Sequence, residues 1–171
     1  MLVATDPRQR EKLVRLANQT AERLSPALTD RSAGDKKIGL TQLRALADAC
    51  HRAVVEAEIE AFLAYQEGRG IKETKRGKKD RGPRDLRGER PDQHGEIERE
   101  GWAALVAVRS PDGRGVQERS AADVVLEAMR RAVDHLPADA HRERLDTLAL
   151  FFGYLYRAAV AVTAGQKEGA R

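Results

Sequence analysis

The sequence predicts an all-α fold: a compact bundle of about four to five helices interrupted by one long basic loop insertion. Three observations predict it. Apolar residues recur at spacings of three and four over several long stretches, which is the period of a helix face. Aromatic residues make up only 4% of the chain, so the core must be built from Leu, Val and Ala, a mixture that favours helices over strands. Positive charge is concentrated in one segment that has almost no large apolar residues. At 171 residues the chain suits a single helical domain, 1–171, with 70–115 as a basic, flexible insertion.

The first helix is expected from about Pro7 to Leu24. Asp6 can cap it and Pro7 suits the first helical position. Leu13, Leu16, Ala17, Thr20 and Leu24 share one face, and Ser25-Pro26 ends it. Residues 29–37 are polar and read as a loop. The second helix is expected to start at a Thr41 cap and to run unbroken to Gly68 and Gly70. Its apolar stripe would be Leu43, Leu46, Ala47, Cys50, Val54, Ala57, Ala61 and Ala64, widened by Ile59, Phe62 and Leu63.

From Arg69 to Arg90 there are ten Lys or Arg and four Asp or Glu, a net +6 in 22 residues. The whole chain carries +4, so the remainder sums to −2, with 21 basic and 23 acidic residues. Residues 69–95 cannot bury enough surface to offset their ordering entropy, which predicts a disordered or ligand-ordered loop. Trp102 to Val108 is a short apolar run that fits a short helix or a strand equally well.

The third long helix is expected to open at a Ser120 cap, with Asp123 in its first turn. Val125, Leu126, Met129, Val133 and Leu136 form its apolar face, and Pro137 ends it. The last helix carries Leu145, Leu148, Phe152, Leu155, Ala159 and Val162, is stopped by Gly165, and leaves a frayed tail from Gln166. The apolar stretch Leu145–Ala164 includes Asp146 and Arg157, which predicts a buried helix and not a membrane span.

Chemistry-bearing motifs are sparse. Cys50 is the lone cysteine, which excludes an intramolecular disulfide and a thiolate zinc cluster. His51 follows it directly, and adjacent helical residues point about 100° apart, a poor arrangement for a shared metal. His141 lacks a second histidine at helical spacing, His135 sits at a helix end, and His94 lies among few fixed ligands. No phosphate-binding GK[ST] loop and no nucleophile elbow is present. The expectation is a protein without enzymatic activity, cofactor, metal or small-molecule substrate. No secretory signal or membrane span is read, so the expected compartment is the cytoplasm. The Lys/Arg/Gly-rich segment, with Lys72, Lys75, Arg76, Lys78 and Lys79, suits contact with a nucleic-acid backbone. Such contact gains affinity by counterion release, and with no aromatics in the segment it needs no base stacking.

Three stretches together resemble the small subunit of type III-A CRISPR effector (Csm) complexes. Leu40-Thr41-Gln42-Leu43-Arg44 resembles the family's Thr-Ser-Gln-Leu/Ile-Arg opening of a long helix. Ala64-Tyr65-Gln66-Glu67-Gly68-Arg69 is similar to the Tyr-Gln-small-Gly-Arg ending of that helix. Residues 151–161 (FFGYLYRAAVA) look like the Phe-rich last helix. The match covers about residues 36–70 and 118–165. Glu67 stands where the family has a small residue, Arg157 where it has Glu, and Val162 where it has Tyr. The insertion from about Gly70 to Gly115 is longer than the family's link, so a related type III small subunit fits nearly as well.

The resemblance implies a non-catalytic helical subunit in antiviral defence. It would stack in several copies along a ribonucleoprotein, beside other effector subunits, and contact CRISPR RNA and target RNA through basic side chains. By position it carries Arg44, Arg69, Gln42 and Gln66 over as motif residues, with Lys36 and Lys37 as the basic approach. Spacing adds Arg52, eight residues after Arg44 and able to share its exposed face. Two other expectations stand beside it. One is a stand-alone, sequence-neutral nucleic-acid binder. The other is a helical oligomeric interaction protein, suggested by the heptad-like spacing of the last helix.

Overall fold

A computed structural model describes residues 6–29, 37–74, 96–109 and 115–168 of the chain. The first helix, α1 (Pro7–Leu24), has the predicted bounds. The Asp6 carboxylate accepts the Arg8 N–H at 3.2 Å, satisfying one orphan donor of the first turn. Leu13, Ala17, Thr20, Ala21 and Leu24 are buried. The Thr20 hydroxyl is satisfied by donating to the Leu16 carbonyl at 2.8 Å. A 3-10 turn (Ser25–Ala27) leads to β1 (Leu28–Thr29), which pairs in parallel with β2 (Ile38–Gly39). Leu28 and Ile38 are both buried, so this short pair pins the end of α1 beside the start of the next helix.

The long second helix predicted over 41–68 is instead two helices, α2 (Leu40–Arg52) and α3 (Glu56–Arg69). Gly39, not Thr41, is the N-cap of α2. Ala53 and Val55 are extended, with ψ of 150° and 155°. No Pro or Gly marks the break. The adjacent β-branched pair Val54-Val55 weakens helix there. Glu58 then stabilises the restart: its carboxylate accepts from Val54 N–H at 3.4 Å, and its own N–H donates to Val55 O at 3.2 Å. The break rotates α3 relative to the expected stripe. Ile59 and Leu63 are buried, while Val54, Ala57, Ala61, Ala64 and Gly68 face outward.

The 70–115 segment is not simply a loop. Its described residues include β3 (Ile71–Thr74) paired antiparallel with β4 (Glu96–Arg99), a 3-10 turn (Gly101–Ala103), and β5 (Leu105–Arg109). β5 pairs antiparallel with β6 (Val116–Ser120). The fold is therefore mostly helical with small strand pairs, not purely all-α. The run Trp102–Val108 resolves into turn and strand. Trp102 is buried, and Val106 and Val108 point inward while Leu105, Ala107 and Arg109 point outward. The Trp102 indole N–H is the one fully buried side-chain polar atom without a hydrogen-bond partner among the described residues. The expected disordered stretch over 75–95 lies outside the described residues.

Gly70 joins α3 to β3 where two backbones meet. A Cβ added there would stand 2.1 Å from the Glu100 carbonyl oxygen. The Glu100 N–H donates to Gly70 O at 2.9 Å, so the ladder continues past the strands. The largely buried Glu100 carboxylate is paired with Lys72 Nζ at 2.7 Å. Gly101 has φ of 56°, a left-handed turn that lets the chain reverse into the 3-10 segment.

α4 (Ala121–Val133) begins as predicted, with the Ser120 hydroxyl accepting from Asp123 N–H at 3.1 Å. It stops at Val133, short of Pro137. α5 (His141–Glu168) runs through Gly165 instead of stopping there. Gln166 holds its end by donating to Ser25 O at 3.0 Å and Ser25 Oγ at 2.6 Å. α5 is the central element: it packs most extensively against α2 and α1, and also against α4, burying Leu145, Leu148, Phe151, Phe152, Leu155 and Ala159. By length and composition alone it could cross a membrane.

One side chain ties three helix ends together. The Arg144 guanidinium forms a two-pronged ion pair with Glu56, the second prong at 3.1 Å, linking α5 to α3. Its Nη1 donates to the carbonyl of Leu136, just past α4, at 2.8 Å, and to that of Val133, the last residue of α4, at 3.1 Å, where Leu136 N–H also donates. Both partners are largely buried, and the Glu56 hydrogen bond raises the Arg144 pKa above its ordinary value, against the pull of desolvation.

Three measurements check this account. Arg144→Ala should cost about 1–3 kcal/mol in urea unfolding, because it removes the partner of a largely covered carboxylate and of the Leu136 carbonyl; a loss no larger than that of an exposed pair, below about 0.5 kcal/mol, would contradict the account. Gly70→Ala should destabilise by about 1–3 kcal/mol through overpacking. By contrast Gly68→Ala, within α3 and with nothing within 4 Å of the new Cβ, should stabilise by about 0.5–1 kcal/mol. Burial pushes the Cys50 thiol up from 9.0 to about 12. The folded chain thus keeps a proton that the unfolded chain loses from about pH 9. Its contribution to stability is complete below that pH and declines as pH rises toward 12. Cys50→Ala should remove this alkaline component, and the native thiol should react with an aromatic disulfide reagent only as fast as the protein opens.

Candidate nucleic-acid interface

A backbone-binding surface needs exposed cations that internal carboxylates do not already neutralise. α2 supplies two. Arg44 and Arg52 are both exposed, and neither has a carboxylate within 4.0 Å among the described residues. Asp48 is also exposed and lies midway between them at four-residue spacing, so this column of α2 is mixed, not uniformly basic. Lys37 is exposed just ahead of β2, and Gln42 is exposed in the first turn of α2. All four belong to one element and its approach.

Arg69 is the last residue of α3, separated from α2 by the break at 53–55. Its guanidinium stands 5.9 Å from the centre of the Tyr65 ring. A cation at this position also suits the helix dipole. Gln66 is half-buried on the same turn. Lys72 on β3 is engaged by the buried Glu100 carboxylate, although its side chain remains 49% exposed. That pairing compensates its charge and anchors it to the hairpin. Lys36, Lys75, Arg76, Lys78 and Lys79 lie outside the described residues. The motif ends at Arg44 and Arg69 therefore sit on two helices, not one. The residues of the third motif that are buried, Phe151, Phe152, Leu155 and Ala159, build the core of α5.

Sequence reasoning missed two features. Tyr65 is 62% exposed, the sole aromatic residue of seven to be so, and it offers a flat face beside Arg69. The motif resemblance includes Tyr65 but gives its ring no place on the helix. The second feature is a set of basic side chains brought together from distant parts of the chain: Lys12 on α1 and Arg131 on α4 line one cleft. No spacing rule along a single helix could join residues so far apart. Among the described residues, no cluster of three or more His, Cys, Asp or Glu side chains could hold a metal ion.

No family model, no curated protein and no solved structure matches this chain, so its resemblance to the CRISPR small subunits rests on the sequence motifs alone.

Proposed function

We propose that this chain is a non-catalytic, helical RNA-binding subunit of a type III CRISPR ribonucleoprotein effector. In that role it contacts the backbone of CRISPR RNA and target RNA, other effector subunits and copies of itself in antiviral defence. The observation that carries the RNA contact is the set of exposed arginines without carboxylate partners among the described residues, Arg44, Arg52 and Arg69, on the two helices leading into the segment of net +6. Lys37, Gln42 and Gln66 extend the surface, and Lys36, Lys75, Arg76, Lys78 and Lys79 supply further charge from the adjoining segments, whereas Lys72 is held by Glu100. Backbone contact is the mode that such side chains suit, because guanidinium and ammonium groups release counterions from phosphates without reading base edges. The motif resemblance supplies the assembly.

The outward face of α3 favours a second reading, a helical interaction protein. Ala57, Ala61, Ala64 and Gly68 are exposed at spacings of four, three and four, a seam without charge where a solvated helix would carry Lys or Glu. Within the first reading this seam would face a neighbouring subunit.

The test is binding to a roughly 40-nucleotide RNA, single-stranded and duplexed, titrated over salt with wild type and an Arg44→Ala/Arg52→Ala/Arg69→Ala variant. Three lost contacts should flatten the logarithmic salt slope for the single strand by about 2. An unchanged slope would remove the arginines from the interface. An absence of RNA binding in the wild type would leave the interaction-protein reading.

A further inference from the structure

We propose that the cleft between α1 and α4 is a binding site for a single phosphate group, separate from the arginines of α2 and α3. The two helices pack against each other and leave a cavity of about 80 Å³. Its floor is apolar: Leu13 and Ala132 are buried and Leu16 is half-buried. Its rim is cationic and rich in donors. Lys12 and Gln9 enter from α1, and Arg131 and His135 from the C-terminal end of α4.

The charge balance points to an anion. Lys12 and Arg131 have no carboxylate within 4.0 Å among the described residues. The neighbouring Arg130 shows the alternative, since it turns away to pair with Glu60 on α3. Asp134 is the one acidic residue in the lining, and its carboxylate lies 3.8 Å from His135 Nδ1. With the imidazole neutral, the lining carries two positive charges and one negative. An anion seated between two exposed cations on the rim of one cleft gains from both.

The donor set narrows the class of ligand. Lys12 offers a compact ammonium, Arg131 a planar fork, and the Gln9 amide a neutral donor, a set suited to several oxygens on one centre. The phosphate could be free inorganic phosphate or the terminal group of an oligonucleotide whose remainder lies outside the cleft.

The test uses the full chain, amide resonances from two-dimensional NMR, and titration calorimetry at constant ionic strength. Inorganic phosphate is compared with chloride, and a 5′-phosphorylated trinucleotide with its 5′-hydroxyl counterpart. Phosphate should shift amides confined to residues 9–16 and 131–135. Arg131→Gln and Lys12→Gln should each weaken binding by about tenfold or more, while Lys12→Arg should retain it. Selective binding of the 5′-phosphorylated oligonucleotide would identify an oligonucleotide end as the source; equal binding of inorganic phosphate would identify the free ion. The proposal is overturned if chloride gives the same shifts, if the shifts fall elsewhere, or if the glutamine variants bind like wild type. Arg44→Ala/Arg52→Ala/Arg69→Ala should bind phosphate like wild type, so failure of the RNA reading and failure of this site are separately visible.

Discussion

The packing of this protein hangs on Arg144. It is the residue at which α3, α4 and α5 meet, and each of its bonds meets a need that arises elsewhere. The chain leaves α4 with carbonyls at Val133 and Leu136, and Nη1 donates to both. α3 begins with Glu56, a carboxylate largely covered by its neighbours, and the rest of the guanidinium neutralises it. A buried ion pair is not in itself a strong source of stability, because desolvation offsets much of the attraction. Its importance is geometric: any arrangement that separates these three helix ends leaves a charge and several carbonyls unsatisfied at once.

That constraint gives the break between α2 and α3 a purpose. An unbroken helix over 40–69 would not bring Glu56 to the N-terminal turn of α5 in the same orientation. Interrupting it at Ala53–Val55 lets α2 lie along α5 while α3 packs against α4 and the 3-10 turn at Trp102. Gly70 then closes the far end of α3 onto Glu100, where the close backbone approach excludes any side chain. α3 is thereby held at both ends by polar contacts and in the middle by Ile59 and Leu63. Its small-residue face is left uncovered.

The same geometry sorts the cations. Arg119, Arg130, Arg142, Arg144 and Lys72 are each committed to a carboxylate on a neighbouring element or turn. Among the described residues, Arg44, Arg52, Lys12 and Arg131 are not. Net charge alone, at +4, says little about a partner. The division between paired and unpaired cations says more, and it arises only when residues far apart in the chain are placed side by side.

Local rules were enough for α1, the Ser120 cap of α4, the apolar face of the last helix and the unusual charge of residues 69–90. Each depends on neighbours within a few positions: a cap three residues from its donor, or apolar side chains one turn apart. The interruption at Val54-Val55, the small strand pairs, the run of α5 through Gly165 and the outward turn of Ala57, Ala61 and Ala64 were not legible in this way. Each depends on a partner remote in sequence, such as Arg144 for Glu56, Ser25 for Gln166 or Glu100 for Gly70. The exposed arginines of α2 could be found from spacing, because one helix places them. The Lys12–Arg131 cleft could not, because it exists only where two helices 119 residues apart in the chain are packed together. Sequence by itself determined the elements that short-range hydrogen bonding and hydrophobic period can specify. Tertiary structure decided which charges remain free, because neutralising a charge or satisfying a carbonyl takes a partner in space, wherever it lies in the chain.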